Sequence, residues 1–320
     1  MTTMKILFTS VGRRVELMQA FRKASERLSI NLIIYGADVS EFAPALFFCD
    51  KTVMVPRISE ESYIPALLDV CEKEKINALI PTIDTDLLIL SQNKDRFKKI
   101  GTEVVISDSD KISICRDKRL TTSFFESCGL CCPKTCDNYT EYKDGLPAFI
   151  KPKDGSSSIN AFKVQNLEEL EAYAHKISDY IIQPFIEGTE YTVDAFCDFE
   201  GKPIFITPRI RLAVRSGEVL KTNIDQDETI ILEMKTLINK YKPCGQITVQ
   251  LIRQKDTNKD FYIEINPRFG GGAPLSIKAG ADSAEALLKL INGQKLTYCP
   301  NAAKDGEVYS RFDQSIKVMS

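Results

Sequence analysis

The segment FYIEINPRFGGG, Phe261 to Gly272, places an acid, an amide and an arginine at every second position between bulky apolar residues, then runs into three glycines. Successive side chains of a strand point to opposite faces, so Phe261, Ile263 and Ile265 are expected on one face and Tyr262, Glu264, Asn266 and Arg268 on the other. The preceding run GQITVQLIRQ answers it, with Ile247, Val249 and Leu251 on one face and Gln250 on the other. Joined by the polar turn KDTNKD, the two runs form a β-hairpin centred on Thr257 that sets Gln250 opposite Glu264. Gln250, Glu264 and Asn266 then offer three oxygen ligands on one sheet face, a hard-cation set suited to Mg²⁺ shared with nucleotide phosphates.

The first hundred or so residues have a different texture. Lys5–Thr9, Asn31–Ala37, Lys51–Val55, Asn77–Pro81 and Glu103–Ser107 are short apolar runs, with amphipathic segments between most of them. This alternation predicts a doubly wound parallel sheet. The turn after the first run, TSVGRRVEL, lies where a dinucleotide-binding protein keeps its phosphate loop, and Asp38 follows the second run. Gly12 alone stands where that loop needs three glycines, so the turn reads as a tight strand-to-helix connection. Arg13 and Arg14 beside it could hold an anionic substrate group at the helix N-terminus.

From Asp108 to Leu130 the chain reads as helical and carries Lys118 and Arg119. Beyond it the sequence is strand-rich. One strand ends at Lys151, a small-residue loop runs from Asp154 to Ser158, and a strand returns through Val164. NLEE is a capping box opening a helix, with Asn166 as cap and Glu169 at the third position. Tyr180 to Ile182 read as a buried strand ending at the link Gln183 to Ile186, and Glu190 begins another. TPRIRLAVRSGEV brings Arg209, Arg211 and Arg215, the first two on one strand face, which reads equally as a solvated or ion-paired edge strand and as a set of substrate anchors.

A net charge of -2 leaves no basic surplus for a nucleic-acid partner, and no apolar run has the length of a membrane span. The N-terminus enters a strand-like segment without a signal h-region, so a cytoplasmic location with reduced thiols is expected for the ten cysteines. Cys128, Cys131, Cys132 and Cys136 form the one dense group; a metal site there competes with the plainer reading of a helix end followed by a strand. The single histidine, His175, argues against histidine-dependent nucleophilic catalysis.

The ordered set of Lys118, Lys151, the Gly/Ser loop, the link at 183–186, Glu190, and then Gln250, Glu264, Asn266 and Arg268 resembles the ATP-grasp superfamily, and is most similar to the halves of carbamoyl phosphate synthetase. The resemblance implies an N-terminal parallel-sheet α/β domain at 1–109, a two-lobed ATP-grasp domain with antiparallel sheets at 110–293 (lobes about 110–184 and 185–293), and a short C-terminal extension at 294–320. It implies that Lys118, Lys151 and Ser156, Ser157 and Ser158 meet the phosphates of ATP. Gln183, Phe185 and Ile186 would meet the adenine, and Glu190 the ribose.

By the same resemblance Gln250, Glu264 and Asn266 bind Mg²⁺, for which Mn²⁺ can substitute, and Arg268 acts on the phosphoryl group in transfer. Arg209, Arg211, Arg215 and Gly271 would face the acceptor, with Arg211 also counted in catalysis. Gln183 stands where an acid is common in the family and Gln250 where many members have a carboxylate, which leaves open one metal ion or two. The chain resembles one synthetase half, so the complete carbamoyl phosphate reaction is not expected. The implied activity is an ATP-dependent carboxylate-amine or carboxylate-thiol ligase acting through an acyl phosphate on small molecules, with a homodimer open. A nucleotide-binding regulator or carrier without turnover is the alternative, and a dehydrogenase a third.

Overall fold

The computed structural model describes residues 3–155 and 159–318. Strands β1 (Thr3–Thr9), β2 (Asn31–Asp38), β3 (Lys51–Met54), β4 (Ala78–Pro81) and β5 (Glu103–Val104) form a parallel sheet in the order β3-β2-β1-β4-β5. Alternate residues of β1 serve the two faces. Ile6 and Phe8 pack with Leu17 and Phe21 of the helix Val15–Arg27, and Leu7 packs with Ile64 and Leu67 of the helix Tyr63–Glu74. Strand order reverses between β1 and β4, so the loops at their carboxyl ends part and open a crevice.

A second, small sheet has β6 (Ala148–Pro152) between β7 (Phe162–Val164) and β8 (Tyr180–Pro184), all antiparallel and covered by the helix Leu167–Lys176. Asn166 caps that helix, its Oδ1 accepting from the Glu169 amide at 2.9 Å, while the Glu169 carboxylate reaches back to the Gln165 amide at 2.8 Å. The first half of the link expected to end β8 instead belongs to it, since Gln183 and Pro184 pair with Phe149 and Ala148, while Phe185 and Ile186 lie beyond the strand. A proline is tolerated there because β8 is an edge strand.

The third sheet is antiparallel, with β9 (Gly188–Cys197), β10 (Pro203–Arg215), β11 (Glu218–Ile224), β12 (Gly245–Gln254), β13 (Asp260–Asn266) and β14 (Val308–Ser310) in the order β13-β12-β9-β10-β11-β14. The short C-terminal extension beyond Gly293 therefore supplies an edge strand. The expected single helical segment after Ser107 is two helices, Ser109–Arg116 and Lys118–Ser127. Asp117 breaks it, because its carboxylate caps the second helix by accepting from the Arg119 amide at 2.9 Å. Phe125 and Leu130, expected in the lobe 110–184, pack against the large sheet with Ile230 and Met234 of the helix Glu228–Tyr241.

Gln250 does stand opposite Glu264, but the next pair is Leu251 with Tyr262, so β13 carries a bulge at Ile263. The extra residue reverses the alternation. Tyr262, expected on the polar face, turns into the core at 1% exposure and donates to Glu233 Oε2 at 2.9 Å. Ile263, expected in the core, lines the cleft described below.

An apolar cluster joins the first domain to the rest of the chain. Phe8 and Phe21 meet edge to face at 5.0 Å, Phe21 meets Phe269 at 5.8 Å, and Leu287 and Leu288 join the same cluster. Phe269 thereby anchors its neighbours, Arg268 and the three glycines, beside the crevice of the first sheet.

Candidate functional site

A cleft of about 570 Å³ lies between the small sheet, the large sheet and the β1/β4 crevice. Its lining includes Lys118, Lys151, Gln183, Phe185, Ile186, Glu190, Arg209, Arg211, Gln250, Glu264, Asn266, Arg268 and Gly271, gathered from distant parts of the chain. Ser156, Ser157 and Ser158 lie outside the described residues.

At one end, Lys118 and Lys151 are each only 8% exposed. Burial pushes Lys151 down to about 8, with Lys118 adding repulsion and Glu264 opposing both. Lys118 is lowered by burial as well, again against the pull of Glu264. Its Nζ donates to the Gly155 carbonyl at 2.6 Å, next to the Gly/Ser segment. Neither lysine has a carboxylate within salt-bridge distance among the described residues, and two such buried ammonium groups form a site that gains by receiving a polyanion.

The polar face of the hairpin forms a chain of contacts. Asn266 Nδ2 donates to Glu264 Oε1 at 2.9 Å, and Arg268 donates to Asn266 Oδ1 at 3.3 Å and to Asp84 Oδ2 at 2.7 Å. Glu264, Asn266 and Gln250 are hard oxygen donors on adjoining strands in one cleft, and a single carboxylate with amide oxygens fits Mg²⁺, which keeps most of its ligands as water and phosphate. Asp84, in the loop after β4, is a cleft residue with no signal in its own surroundings in the sequence.

Beyond the hairpin lie the arginines. Arg209 is 2% exposed and its Nε donates to Asp194 at 2.9 Å; Asp194 also accepts from Thr248 at 3.1 Å and Ser276 at 2.7 Å. Arg211 Nε is 3.2 Å from Glu190 Oε2 without the alignment of a hydrogen bond. Arg209 Nη1, Arg211 Nε and Arg268 Nε are buried with no hydrogen-bond partner among the described residues. Unpartnered buried donors on cations suit an anionic ligand.

The three glycines make this convergence possible. A Cβ on Gly271 would stand 2.7 Å from Arg14 Nη1, and one on Gly272 would stand 2.5 Å from Arg209 Nη2.

Other expected residues take different roles. Arg215 does not line the cleft; it pairs with Asp313 at 3.0 Å in solvent, because the register shifts of β10 near Ala213 re-aim its end. Gln183 lines the cleft, but its Nε2 is spent on Thr135 Oγ1 at 3.0 Å and the Pro133 carbonyl at 3.4 Å. Asp38 accepts from the Gly12 amide at 2.8 Å and the Ser40 amide at 3.0 Å, so the acid that would bind a dinucleotide ribose closes its own turn. Among the described residues no three histidine, cysteine or acidic side chains are gathered to hold a metal ion. The Cys136 thiol donates to the Asn138 carbonyl and the Cys132 thiol to the Thr122 carbonyl, while Cys131 is exposed. No helix among the described residues is long and apolar enough to cross a membrane.

Comparison with known proteins agrees with this architecture. Residues 6–105 match the PylC-like N-terminal domain, and residues 115–272 match the ATP-grasp domain. A carbamoyl phosphate synthase large chain from Halomonas eurihalina is 22% identical over 306 residues, covering 83% of this chain. The chain spans 28% of the length of that relative. The biotin carboxylase domain of Hydrogenobacter thermophilus 2-oxoglutarate carboxylase, solved as a dimer with MgADP, ADP and bicarbonate, superposes with a TM-score of 0.77 at 15% identity over 96% of this chain and 74% of that one. An L-amino acid ligase from Bacillus licheniformis superposes with a TM-score of 0.72 at 16% identity, over 91% of this chain and 75% of that one. The parallel sheet carries the PylC-like match and the two antiparallel sheets with the cleft between them carry the ATP-grasp match, so this chain is an ATP-grasp protein with a PylC-like N-terminal domain.

Proposed function

We propose that this chain is an ATP-dependent carboxylate-amine ligase that activates a small acid as an acyl phosphate and releases ADP and phosphate. The observation that carries the reading is one cleft holding two buried lysines at one end and buried arginines with unpartnered donors at the other. Lys118 and Lys151 receive phosphate oxygens of ATP, with Phe185, Ile186 and Ile263 beside the base and Glu190 available to the ribose. Glu264, Asn266 and Gln250 would hold Mg²⁺, which when bound neutralises phosphate charge and orients the phosphates.

Arg209 and Arg211 hold the carboxylate of the acid. An oxygen of that carboxylate attacks the γ-phosphorus, the bond to the β-phosphate oxygen breaks, and ADP leaves. Arg268, held by Asp84, offers its charge to the phosphoryl group in transfer. An amine nitrogen then attacks the acyl carbon, phosphate departs, and the nitrogen loses its proton. A thiol acceptor would follow the same course. Both substrates are small molecules, and a homodimer is in keeping with the dimeric relative named above.

The experiment is ADP release over a panel of small acids with Mg-ATP, with hydroxylamine as trap. Acid-dependent ADP release accompanied by hydroxamate is expected. ADP release without hydroxamate would exclude the acyl phosphate, and binding of Mg-ATP without release under any acid would favour a carrier or regulator.

A further inference from the structure

Arg14, in the loop after β1, and Glu218, the first residue of β11, face each other from different domains, with Nη1 and Oε1 3.7 Å apart. That is longer than a hydrogen bond. Both line the cleft at the acceptor end, over Gly271, where a Cβ would stand 2.7 Å from Arg14 Nη1 and 3.1 Å from Glu218 Oε1. Among the described residues the one hydrogen bond of the Arg14 side chain, to the Thr82 carbonyl, is 3.5 Å long, so most of its donors remain for a ligand. Glu218 Oε2 accepts from Arg311 at 3.2 Å, which leaves Oε1 toward the cleft.

Burial lowers the Arg14 guanidinium, and Arg268 lowers it further, while Glu218 and Asp84 oppose them. Burial works against ionisation of Glu218, yet Arg14 and then Arg311 hold its carboxyl below the usual range. The pair is thus two opposite charges in contact distance, Arg14 with most of its donors open and Glu218 with Oε2 held by Arg311 and Oε1 toward the cleft.

We propose that Arg14 and Glu218 form a subsite for a dipolar amine co-substrate, Arg14 receiving a carboxylate and Glu218 an ammonium group. The proposal rests on the ligase reading above and names the chemistry of its second substrate. A molecule bearing both charges a few bonds apart can meet Arg14 and Glu218 at once, which neither a simple anion nor a simple cation can do, so it is selected. Arg311 is a positioning residue. It follows β14, donates to the Val219 carbonyl at 3.2 Å, and lies 3.7 Å from Glu16 of the first domain, so the C-terminal segment sets the angle of Glu218.

The test uses the full chain with Mg-ATP and the acid that best drives ADP release. The probes are the protein amino acids, the amines left when their carboxylate is removed, and hydroxylamine. Amino acids are expected to be used, or to compete with hydroxylamine, at concentrations at least about tenfold below their matched amines. Glu218→Gln should lower the preference for the amino acid over hydroxylamine by roughly tenfold to a hundredfold. Arg311→Gln should lower it in the same direction, with Arg311→Lys restoring most of it. Equal use of amino acids and matched amines overturns the subsite, as does a Glu218→Gln enzyme whose preference is unchanged. Failure of the wild-type enzyme to form any hydroxamate overturns the ligase reading itself, and the subsite with it.

Discussion

Arg268 Nη2 and Asp84 Oδ2 meet at 2.7 Å although 184 residues of chain separate them. The pair joins the end of the hairpin to the crevice of the first sheet, with the two side chains only 13% and 22% exposed. Removing one partner of such a pair leaves the other poorly solvated. Asp84→Ala is predicted to destabilise the fold by about 1–3 kcal/mol and to lower kcat more than it weakens Mg-ATP binding, since Arg268 loses its aim. Urea unfolding and steady-state kinetics check this; a variant of wild-type stability and kcat would remove Asp84 from the site.

Glu264 is the only carboxylate of the Gln250, Glu264 and Asn266 set. Glu264→Ala is predicted to reduce ATP turnover by about a hundredfold or more, whereas Gln250→Glu, which adds a charge from the facing strand, strengthens Mg²⁺ or Mn²⁺ binding. Metal titration of ADP release reads both. Normal turnover in Glu264→Ala would show the hairpin to be wrongly assigned.

Lys151 carries a pH signature. Its folded value, about 8, lies below its usual 10.5, so between these limits the unfolded chain binds more protons and wild-type stability rises with pH. Below the window both states are protonated and burial of the charge costs about 3 kcal/mol. Lys151→Met, which keeps the length without the charge, is therefore predicted to be more stable than wild type at pH 7 and to lose that advantage by about pH 10. Parallel unfolding curves at both pH values check it, and a gap that does not close would mean the lysine is not the group responsible.

Gly272 has no room for a side chain, its Cβ falling 2.5 Å from Arg209 Nη2 and 2.8 Å from Val219 Cγ1. Gly272→Ala is predicted to displace the Arg209 guanidinium and raise KM for the acid by roughly tenfold or more, with the Mg-ATP melting shift retained because the lysine end is untouched. A lost melting shift would indicate a disturbed fold and not a disturbed acceptor end.

Periods of two and of about four residues, caps and turns act over a few bonds, and what they govern was already readable in the chain. Five apolar runs became the parallel sheet, Asn166 became a helix cap, and the turn around Thr257 set Gln250 against Glu264. One inserted residue at Ile263 was enough to defeat the alternation and send Tyr262 into the core, because a bulge is decided by the fit of β13 to its neighbours and not by its own pattern. The same holds for Arg215, which local spacing groups with Arg209 and Arg211 but which the irregular end of β10 carries away to Asp313. The meeting of Asp84 with Arg268, and of Arg14 with Glu218 over Gly271, has no local cause at all. Phe269 packs on Phe21 and fastens the large sheet to the first domain, so burial of apolar surface between distant segments helps bring these charges together.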